Sequence, residues 1–238
     1  MEKKAIIIGA SSGIGNTLAR VMSNKGYVLG LTGRRRNLLD ELNRALPSKT
    51  FVSDFDIVKL DEAMAALEKL IHEMGGVDVI VINAGVGHLN PDLQWQKELI
   101  TLDVNVRGFA AMTNVAFHHF KKKGAGHIVG ISSLLAIVGA GKSPAYSGSK
   151  SFVSAYLDCV RRRVNQLSLP ITVTDIKPGF IDTPMIKDNP HAFWVSPSEK
   201  AAEQILKAIE HKQEHAFVTR RWMFTGWLMR LVPKVFFN

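Results

Sequence analysis

Near the start of the 238-residue chain, Lys4-Ala5-Ile6-Ile7-Ile8 runs directly into Gly9-Ala10-Ser11-Ser12-Gly13-Ile14-Gly15. The first stretch is typical of a buried strand, and the second places three glycines where that strand turns into a helix. Glycines permit a tight turn and let backbone N–H groups at a helix start approach a pyrophosphate. The spacing is GxxxGxG rather than GxGxxG, and a plain strand-to-helix turn is the alternative. Later segments must decide between the two.

Short apolar runs recur along the chain, each followed by a helical pattern or by a loop leading into one. These runs lack the polar and apolar alternation of half-exposed strands, which favours a parallel sheet covered by helices on both faces. The sequence therefore predicts a doubly wound, Rossmann-like α/β fold, with residues 1–238 forming one dinucleotide-binding and catalytic domain. The predicted strands are Lys4–Ile8, 27–31, 50–52, 77–82, 127–131 and 171–176, and the predicted helices are 14–25, 37–46, 60–74, 95–122, 144–168 and 197–212.

The end of the second predicted strand indicates which dinucleotide is preferred. Folds that bind NAD usually offer a carboxylate to the adenosine ribose at this position, whereas this chain has Thr32-Gly33-Arg34. Gly33 leaves room for a 2′-phosphate, and Arg34 can make charge-assisted contacts to it. NADP(H) is therefore predicted, the alternative being a solvated basic turn. Asp56, after the third strand, is predicted to contact the adenine amino group or to cap a helix.

Four features occur in order: the glycine-rich turn, Asn83-Ala84-Gly85 after the fourth strand, Tyr146-Ser147-Gly148-Ser149-Lys150, and Pro178-Gly179 after the sixth strand. Together they resemble the short-chain dehydrogenase/reductase family, over about residues 4–215. The resemblance implies that Tyr146 is the general acid/base and that Lys150 is its partner. It also implies that Ser133 is the catalytic serine, with Ser132 as the fallback, and that Asn105 holds a water that links Lys150 to solvent.

The residues themselves support this chemistry. Ser143 followed by Pro144 is typical of a helix start, which puts Tyr146 and Lys150 one turn apart on one face. A phenol is mostly protonated at neutral pH, and a nearby ammonium lowers its pKa toward 7. In reduction the hydride reaches the carbonyl carbon, Tyr146 protonates the oxygen, and Ser133 donates a hydrogen bond to that oxygen.

The resemblance also implies the cofactor contacts, in which Lys150 bonds the nicotinamide ribose and Thr183 the carboxamide. Two residues depart from the family pattern: Ile8 stands where a threonine usually precedes the first glycine, and Ile82 stands where an asparagine usually precedes Asn83. Both positions serve local structural bonding and not proton transfer. The predicted cofactor-binding residues are Gly9, Ser11, Ser12, Gly13, Ile14, Gly15, Arg34, Asp56, Asn83, Ala84, Gly85, Lys150, Pro178, Gly179, Ile181 and Thr183.

Composition excludes several other classes. Hydrophobic residues make up 46% of the chain, and no apolar run approaches the roughly 18 residues of a membrane span. The single cysteine allows no internal disulfide, and a strand-like start leaves no room for a signal peptide, so a cytoplasmic protein is expected.

Much of the +9 net charge lies in the tail, which argues against nucleic-acid binding. His211 and His215 could share a helix face, but no third ligand is evident and no metal is expected.

Two alternative functions stay open: an NAD-dependent alcohol dehydrogenase, and a catalytically idle NADP(H)-binding sensor. The expected substrate is a small, largely apolar carbonyl or alcohol compound, because the predicted pocket walls at 86–95, 134–142 and 180–194 carry many apolar side chains. A homodimer or homotetramer is expected, since the helices at 95–122 and 144–168 resemble those through which family members pair.

The final segment, 219–238, is predicted to be a basic amphipathic extension. At about 100° per residue, Phe224, Leu228 and Leu231 fall together beside Arg220 and Arg230. Such a helix could lie on an anionic membrane surface, with Trp222 or Trp227 at headgroup level. The favoured alternative is packing against protein, because Gly226 and Pro233 weaken a long helix.

Overall fold

The computed structural model describes residues 2–137, 139–187, 192–219 and 221–222. Seven strands alternate with helices along these residues. The strands are β1 Lys4–Ile8, β2 Val28–Gly33, β3 Thr50–Asp54, β4 Val79–Ile82, β5 Gly126–Ile131, β6 Ile171–Pro178 and β7 His215–Val218. The helices are α1 Gly13–Asn24, α2 Arg36–Ala45, α3 Leu60–Glu73, α4 Trp95–Leu102, α5 Phe109–Lys123, α6 Pro144–Gln166 and α7 Ser198–Glu210.

All seven strands pair in parallel, in the order β3-β2-β1-β4-β5-β6-β7. The chain order reverses between β1 and β4, which makes this the switch point where ligands bind in open α/β sheets. The predicted doubly wound fold is therefore confirmed. The short strand β7, which extends the edge beside β6, was missed by sequence reasoning.

Side chains of β1 show why its run is apolar throughout. Ala5 and Ile7 pack into a core on one face of the sheet with residues of α1 and α7, such as Leu18 and Ile205. Ile6 and Ile8 point to the opposite face, where α3, α5 and α6 form the second core. A strand with helices on both faces has no solvent side, so polar alternation is absent.

The prediction of one continuous helix over 95–122 is wrong in one respect. A π-helical turn, Asp103–Gly108, separates α4 from α5. Such turns insert an extra residue into the helix and occur frequently at functional sites. This one carries the predicted site residue Asn105. No helix among the described residues is long and apolar enough to cross a membrane.

Candidate active site

A cleft opens at the carboxyl ends of β1 and β4, where the strand order reverses. It runs from the glycine-rich turn, past the loop after β4, to Tyr146 and Lys150 on α6. All but three of the predicted site residues line this cleft. The three that are not among its lining residues are Gly15, Asp56 and Asn105.

The glycine-rich turn is fixed in place by close backbone packing. Gly9 has φ 92°, and a Cβ there would lie 2.7 Å from Ala84 Cα. A Cβ at Gly15 would lie 2.2 Å from the Gly9 carbonyl oxygen and 2.5 Å from the Asn83 side-chain nitrogen. The Asn83 amide donates to Gly9 O over 2.8 Å, so the loop after β4 holds the turn. Side chains larger than hydrogen are excluded at Gly9 and Gly15.

The basic turn after β2 differs from the expectation based on Arg34 alone. Arg34 is 56% exposed, and its guanidinium lies 3.7 Å from the Asp56 carboxylate. The guanidinium of Arg35 donates to Ser11 Oγ at 2.9 Å and to Ser12 Oγ at 2.6 Å. Both arginines line the cleft, so Arg35 is a second cation at the glycine-rich turn that sequence reasoning missed.

Asp56 forms a local turn. Its carboxylate accepts from the Val58 N–H at 3.2 Å, as an acidic residue does ahead of a helix. Its neighbours Phe55 and Ile57 line the cleft.

Helix α6 begins at Pro144, as its Ser-Pro start predicted, and brings Tyr146 and Lys150 to the cleft. Tyr146 is half-buried, and its hydroxyl is hydrogen-bonded to Ser133. Lys150 is buried; its Nζ donates to Ile131 O at 2.8 Å and lies 5.8 Å from the centre of the Tyr146 ring. Ser133, Tyr146 and Lys150 are thus brought together as the sequence predicted.

The pKa values of this pair differ from the expected tyrosine near 7. Burial raises the pKa of Tyr146, and the hydrogen bond with Ser133 offsets only part of that effect. Burial also lowers the pKa of Lys150 to about 8, against an opposing effect of the Asp175 charge. The Lys150 ammonium donates to the Ile131 carbonyl. At neutral pH, Tyr146 is therefore a neutral phenol beside a cationic lysine.

The two neighbouring serines have separate roles. The Ser132 hydroxyl donates to Asp175 Oδ1 at 2.5 Å and to Ile176 O at 3.0 Å, so it binds to β6. The Ser133 oxygen accepts from the Leu135 N–H at 3.1 Å, in a short 3₁₀ turn, and contacts Tyr146. The geometry favours Ser133 over Ser132 as the serine of the site.

Asn105 connects the π-helical turn to the loop after β4. Its side-chain oxygen accepts from the Val86 N–H at 2.9 Å, and its Nδ2 donates to Val86 O at 2.8 Å and to Ser149 Oγ at 3.0 Å. These bonds use both N–H groups and one acceptor position of the oxygen, so Asn105 positions Val86 and α6 beside the cleft. The predicted role of Asn105 in holding a water that links Lys150 to solvent stays a prediction.

An aromatic cluster closes the loop between β6 and α7. Trp222 is fully buried, with ring-centre distances of 5.9 Å to Phe180, 5.2 Å to Phe193 and 5.5 Å to Trp194. Arg221 donates to Trp194 O and, at 2.8 Å, to Ser196 Oγ. Trp222 is consequently buried in protein and not placed for a membrane headgroup. The rest of the predicted amphipathic segment, 223–238, and Arg220 lie outside the described residues.

A metal centre is not formed by the described residues, among which no group of three potential ligands occurs. His215 lies on β7 rather than on the helix predicted to carry it with His211, so the two do not share a helix face. The imidazole of His211 is within 2.7 Å of Lys207 O.

The chain resembles known oxidoreductases along most of its length. The family described as short chain dehydrogenase matches residues 3–194. An uncharacterized oxidoreductase from Mycobacterium tuberculosis is 30% identical over 240 residues, covering 97% of this chain and 93% of that protein. The dehydrogenase/reductase SDR family member 7B of Danio rerio is 29% identical over 264 residues, covering 100% of this chain and 84% of its own.

Solved structures show the same fold at low identity. Levodione reductase is 18% identical with a TM-score of 0.82, and the aligned region covers 91% of this chain and 95% of that one. A 3-ketoacyl-(acyl-carrier-protein) reductase from Brucella melitensis, complexed with NADH, is 23% identical with a TM-score of 0.80, covering 91% and 96%. The family match, together with the site geometry, shows that the chain belongs to the short-chain dehydrogenase/reductase family and is an oxidoreductase that uses a nicotinamide cofactor.

Proposed function

We propose that this enzyme transfers a hydride between NADP(H) and a largely apolar ketone or aldehyde, with Tyr146 as the general acid/base. The observation that carries the proposal is the meeting of Ser133, Tyr146 and Lys150 in one cleft with the glycine-rich turn. The alternative of an idle sensor would need no such proton-transfer group.

The cleft fits a dinucleotide. Close approach of backbone is possible at Gly9, and at Gly33 a Cβ would lie only 3.3 Å from Ser11 Oγ. Thr32 lines the cleft, and its hydroxyl is one of few buried side-chain atoms of the described residues without a hydrogen-bond partner in the protein. The turn, Lys150 and Thr183 would hold the pyrophosphate and nicotinamide halves. Bound dihydronicotinamide supplies the hydride.

The residues of the site supply the other groups that the reaction needs. Tyr146 is a neutral phenol, because burial raises its pKa, and so carries the proton that reduction requires at the carbonyl oxygen. The Ser133 hydroxyl donates a hydrogen bond to that oxygen as negative charge develops. The Lys150 ammonium stabilises the phenolate that remains after proton transfer.

A preference for NADP(H) is supported by the turn after β2. Gly33 offers no carboxylate to an adenosine ribose, and Arg34 and Arg35 both line the cleft. A 2′-phosphate placed there would meet two guanidinium groups, each able to make charge-assisted hydrogen bonds. The weak Arg34 pair with Asp56 at 3.7 Å leaves Arg34 free to reorient toward the phosphate.

An apolar substrate is supported by the loop after β6. Met185 and Ile186 line the cleft, and between β6 and α7 the side chains of Met185, Phe193 and Trp194 are each at least half exposed. Apolar lining with few polar groups is typical of sites for small organic molecules. The exposed Cys159 thiol fits a reducing compartment, and we place the enzyme in the cytoplasm.

We also expect a homodimer or homotetramer. Helix α4 exposes Trp95, Leu99 and Leu102, of which Trp95 is 59% exposed. Contiguous exposed apolar side chains of this kind mark interaction sites. Light scattering over a range of protein concentrations tests this, and a monomer at every concentration contradicts it.

The direct test of the function is a panel of apolar ketones and aldehydes incubated with the enzyme and either NADPH or NADH. Loss of reduced nicotinamide absorbance with at least one carbonyl, faster with NADPH at equal concentration, is the expected result. Faster consumption of NADH would favour the NAD-dependent alternative. Tight NADPH binding without turnover of any carbonyl, or of the corresponding alcohols with NADP⁺, would favour the sensor.

A further inference from the structure

A buried ion pair lies directly behind the proposed site, in the middle of β6. The side chains of Asp175 and Lys177 are 0% and 2% exposed, and they contact each other through Lys177 Nζ and Asp175 Oδ2. Burying two charges costs several kcal/mol of desolvation per ion, which only good geometry and further hydrogen bonds offset. An ion pair at such a place therefore needs an explanation beyond packing.

The other partners of Asp175 belong to the elements that carry the proposed catalytic residues. Its carboxylate accepts from Ser132 Oγ at 2.5 Å and from Ser154 Oγ at 2.6 Å. Ser132 immediately precedes Ser133 at the end of β5, and Ser154 lies one turn beyond Lys150 on α6. One carboxylate thus ties the strand end that presents Ser133 to the helix that presents Tyr146 and Lys150.

The charge of Asp175 also acts on Lys150. Burial lowers the pKa of Lys150 to about 8, and the Asp175 carboxylate opposes that effect. Burial works to raise the pKa of Asp175, but the nearby His215, Lys177 and Ser132 side chains outweigh it and hold that pKa well below the usual range, so Asp175 remains ionised. The other charged groups of this region pair with Asp175 or with one another: Lys177 on β6, His215 on β7, Asp158 and Arg161 on α6, and Glu214.

We propose that Asp175 is a positioning residue of the active site. It holds Ser133 and Lys150 in register through Ser132 and Ser154, and its negative charge favours the cationic form of Lys150. This inference rests on the proposed function for its effect on turnover. Its effect on the charge of Lys150 is a property of the protein alone.

The test uses three variants of the full chain. Asp175→Asn removes the charge and retains polar contacts to both serines. Asp175→Asn combined with Lys177→Met also removes the buried lysine that the first change leaves unpaired, so that a folded variant is available. Ser154→Ala removes one hydrogen bond and no charge, and serves as the matched control.

Two readouts are measured against pH. One is kcat/KM for carbonyl reduction, whose alkaline limb follows loss of the Lys150 proton. The other is acetic anhydride labelling of Lys150 in the cofactor-free protein, quantified by mass spectrometry, because only the neutral amine reacts. The expected result for Asp175→Asn is an alkaline limb lowered by at least about half a pH unit, with about threefold faster labelling at pH 7. The double variant should shift in the same direction by less, because it also loses the opposing charge of Lys177. Ser154→Ala lowers kcat and leaves both pH midpoints in place.

Unmoved midpoints in the Asp175→Asn/Lys177→Met variant overturn the inference, whatever happens to kcat. A midpoint that moves equally in Ser154→Ala also overturns it, because the shift would then come from loosened packing. If the wild-type enzyme reduces no carbonyl, the proposed function fails, while the labelling experiment still decides whether Asp175 controls the charge of Lys150.

Discussion

Three consecutive arginines after β2 have different surroundings. Arg36 donates to Asp40 at 2.9 Å and pairs with Asp54 at 3.1 Å, on the outside of α2. Arg35 binds the serines of the glycine-rich turn, and Arg34 reaches Asp56 only at 3.7 Å. Position in the sequence could not distinguish them, because the direction of a long side chain depends on its partners.

These surroundings predict how each arginine contributes to cofactor binding. Arg34→Ala and Arg35→Ala each weaken NADPH about tenfold or more and change NADH little, because a charge-assisted bond to the 2′-phosphate contributes about 1.5–3 kcal/mol. Arg36→Ala is the matched control and leaves both affinities unchanged. Fluorescence titration of each variant with the two cofactors measures this. Equal losses of affinity for NADPH and NADH would show that the arginines do not bind the 2′-phosphate.

At the same scale, the sequence predicted residues whose function depends on local spacing. Tyr146 and Lys150 are one helical turn apart, so their meeting follows from the Ser-Pro helix start alone. Asp175 and Trp222 act through partners that are distant in the chain, Ser132 and Phe180 among them. No local pattern announces such contacts.

Among the elements, the strong periodic ones were predicted and the short or irregular ones were not. The run of four residues in β7 is too short to separate from a loop, and it forms a strand because Ala216 and Val218 pair with β6. The π-helical turn at Asp103–Gly108 was not predicted, because a single inserted residue leaves no distinctive local pattern in the sequence. The tertiary bonds of Asn105 coincide with it.

Strand β5 carries a buried histidine that makes the stability of the protein depend on pH. Burial lowers the pKa of His127 to about 4, and its Nε2 lies 2.7 Å from Thr174 Oγ1. The unfolded chain takes up this proton near pH 6.5, so the stabilising contribution is complete above that pH and is lost as pH falls toward 4. The free energy of unfolding is expected to fall by about 2 kcal/mol from this residue between pH 7 and 5.

Urea unfolding of the wild type and of His127→Gln at the two pH values checks this. Glutamine keeps a donor for Thr174 and cannot titrate, so the variant should lose about 2 kcal/mol less than the wild type on acidification. The same loss in both proteins would assign the acid sensitivity to other groups.

For the whole molecule, the described start of the C-terminal extension packs against Gly179, a residue that lines the cleft. Trp222 lies under Phe180, Phe193 and Trp194, and the backbone at Gly179 approaches its indole too closely for any Cβ. Trp222→Ala should therefore lower the free energy of unfolding by about 3–5 kcal/mol and raise KM for the carbonyl. Trp222→Phe, which keeps an aromatic ring, should lose less of both.

Thermal unfolding and substrate kinetics of the two variants measure these effects. Unchanged KM in a folded Trp222→Ala protein would show that the cluster serves stability alone.

Sedimentation with anionic vesicles, comparing the full chain with a chain ending at Thr219, tests the membrane alternative for the extension. Salt-sensitive binding lost on truncation would support it.

The central claim is that Tyr146 transfers the proton, and a single substitution tests it most directly. Tyr146→Phe removes the hydroxyl and keeps the ring, while Tyr156→Phe on the same helix is the matched control. On a carbonyl substrate reduced by the wild type, Tyr146→Phe is predicted to lower kcat by about 10²–10⁴-fold. It should leave the Kd for NADPH within about twofold, and Tyr156→Phe should leave both unchanged. A Tyr146→Phe enzyme that retains a substantial fraction of wild-type kcat would contradict the account.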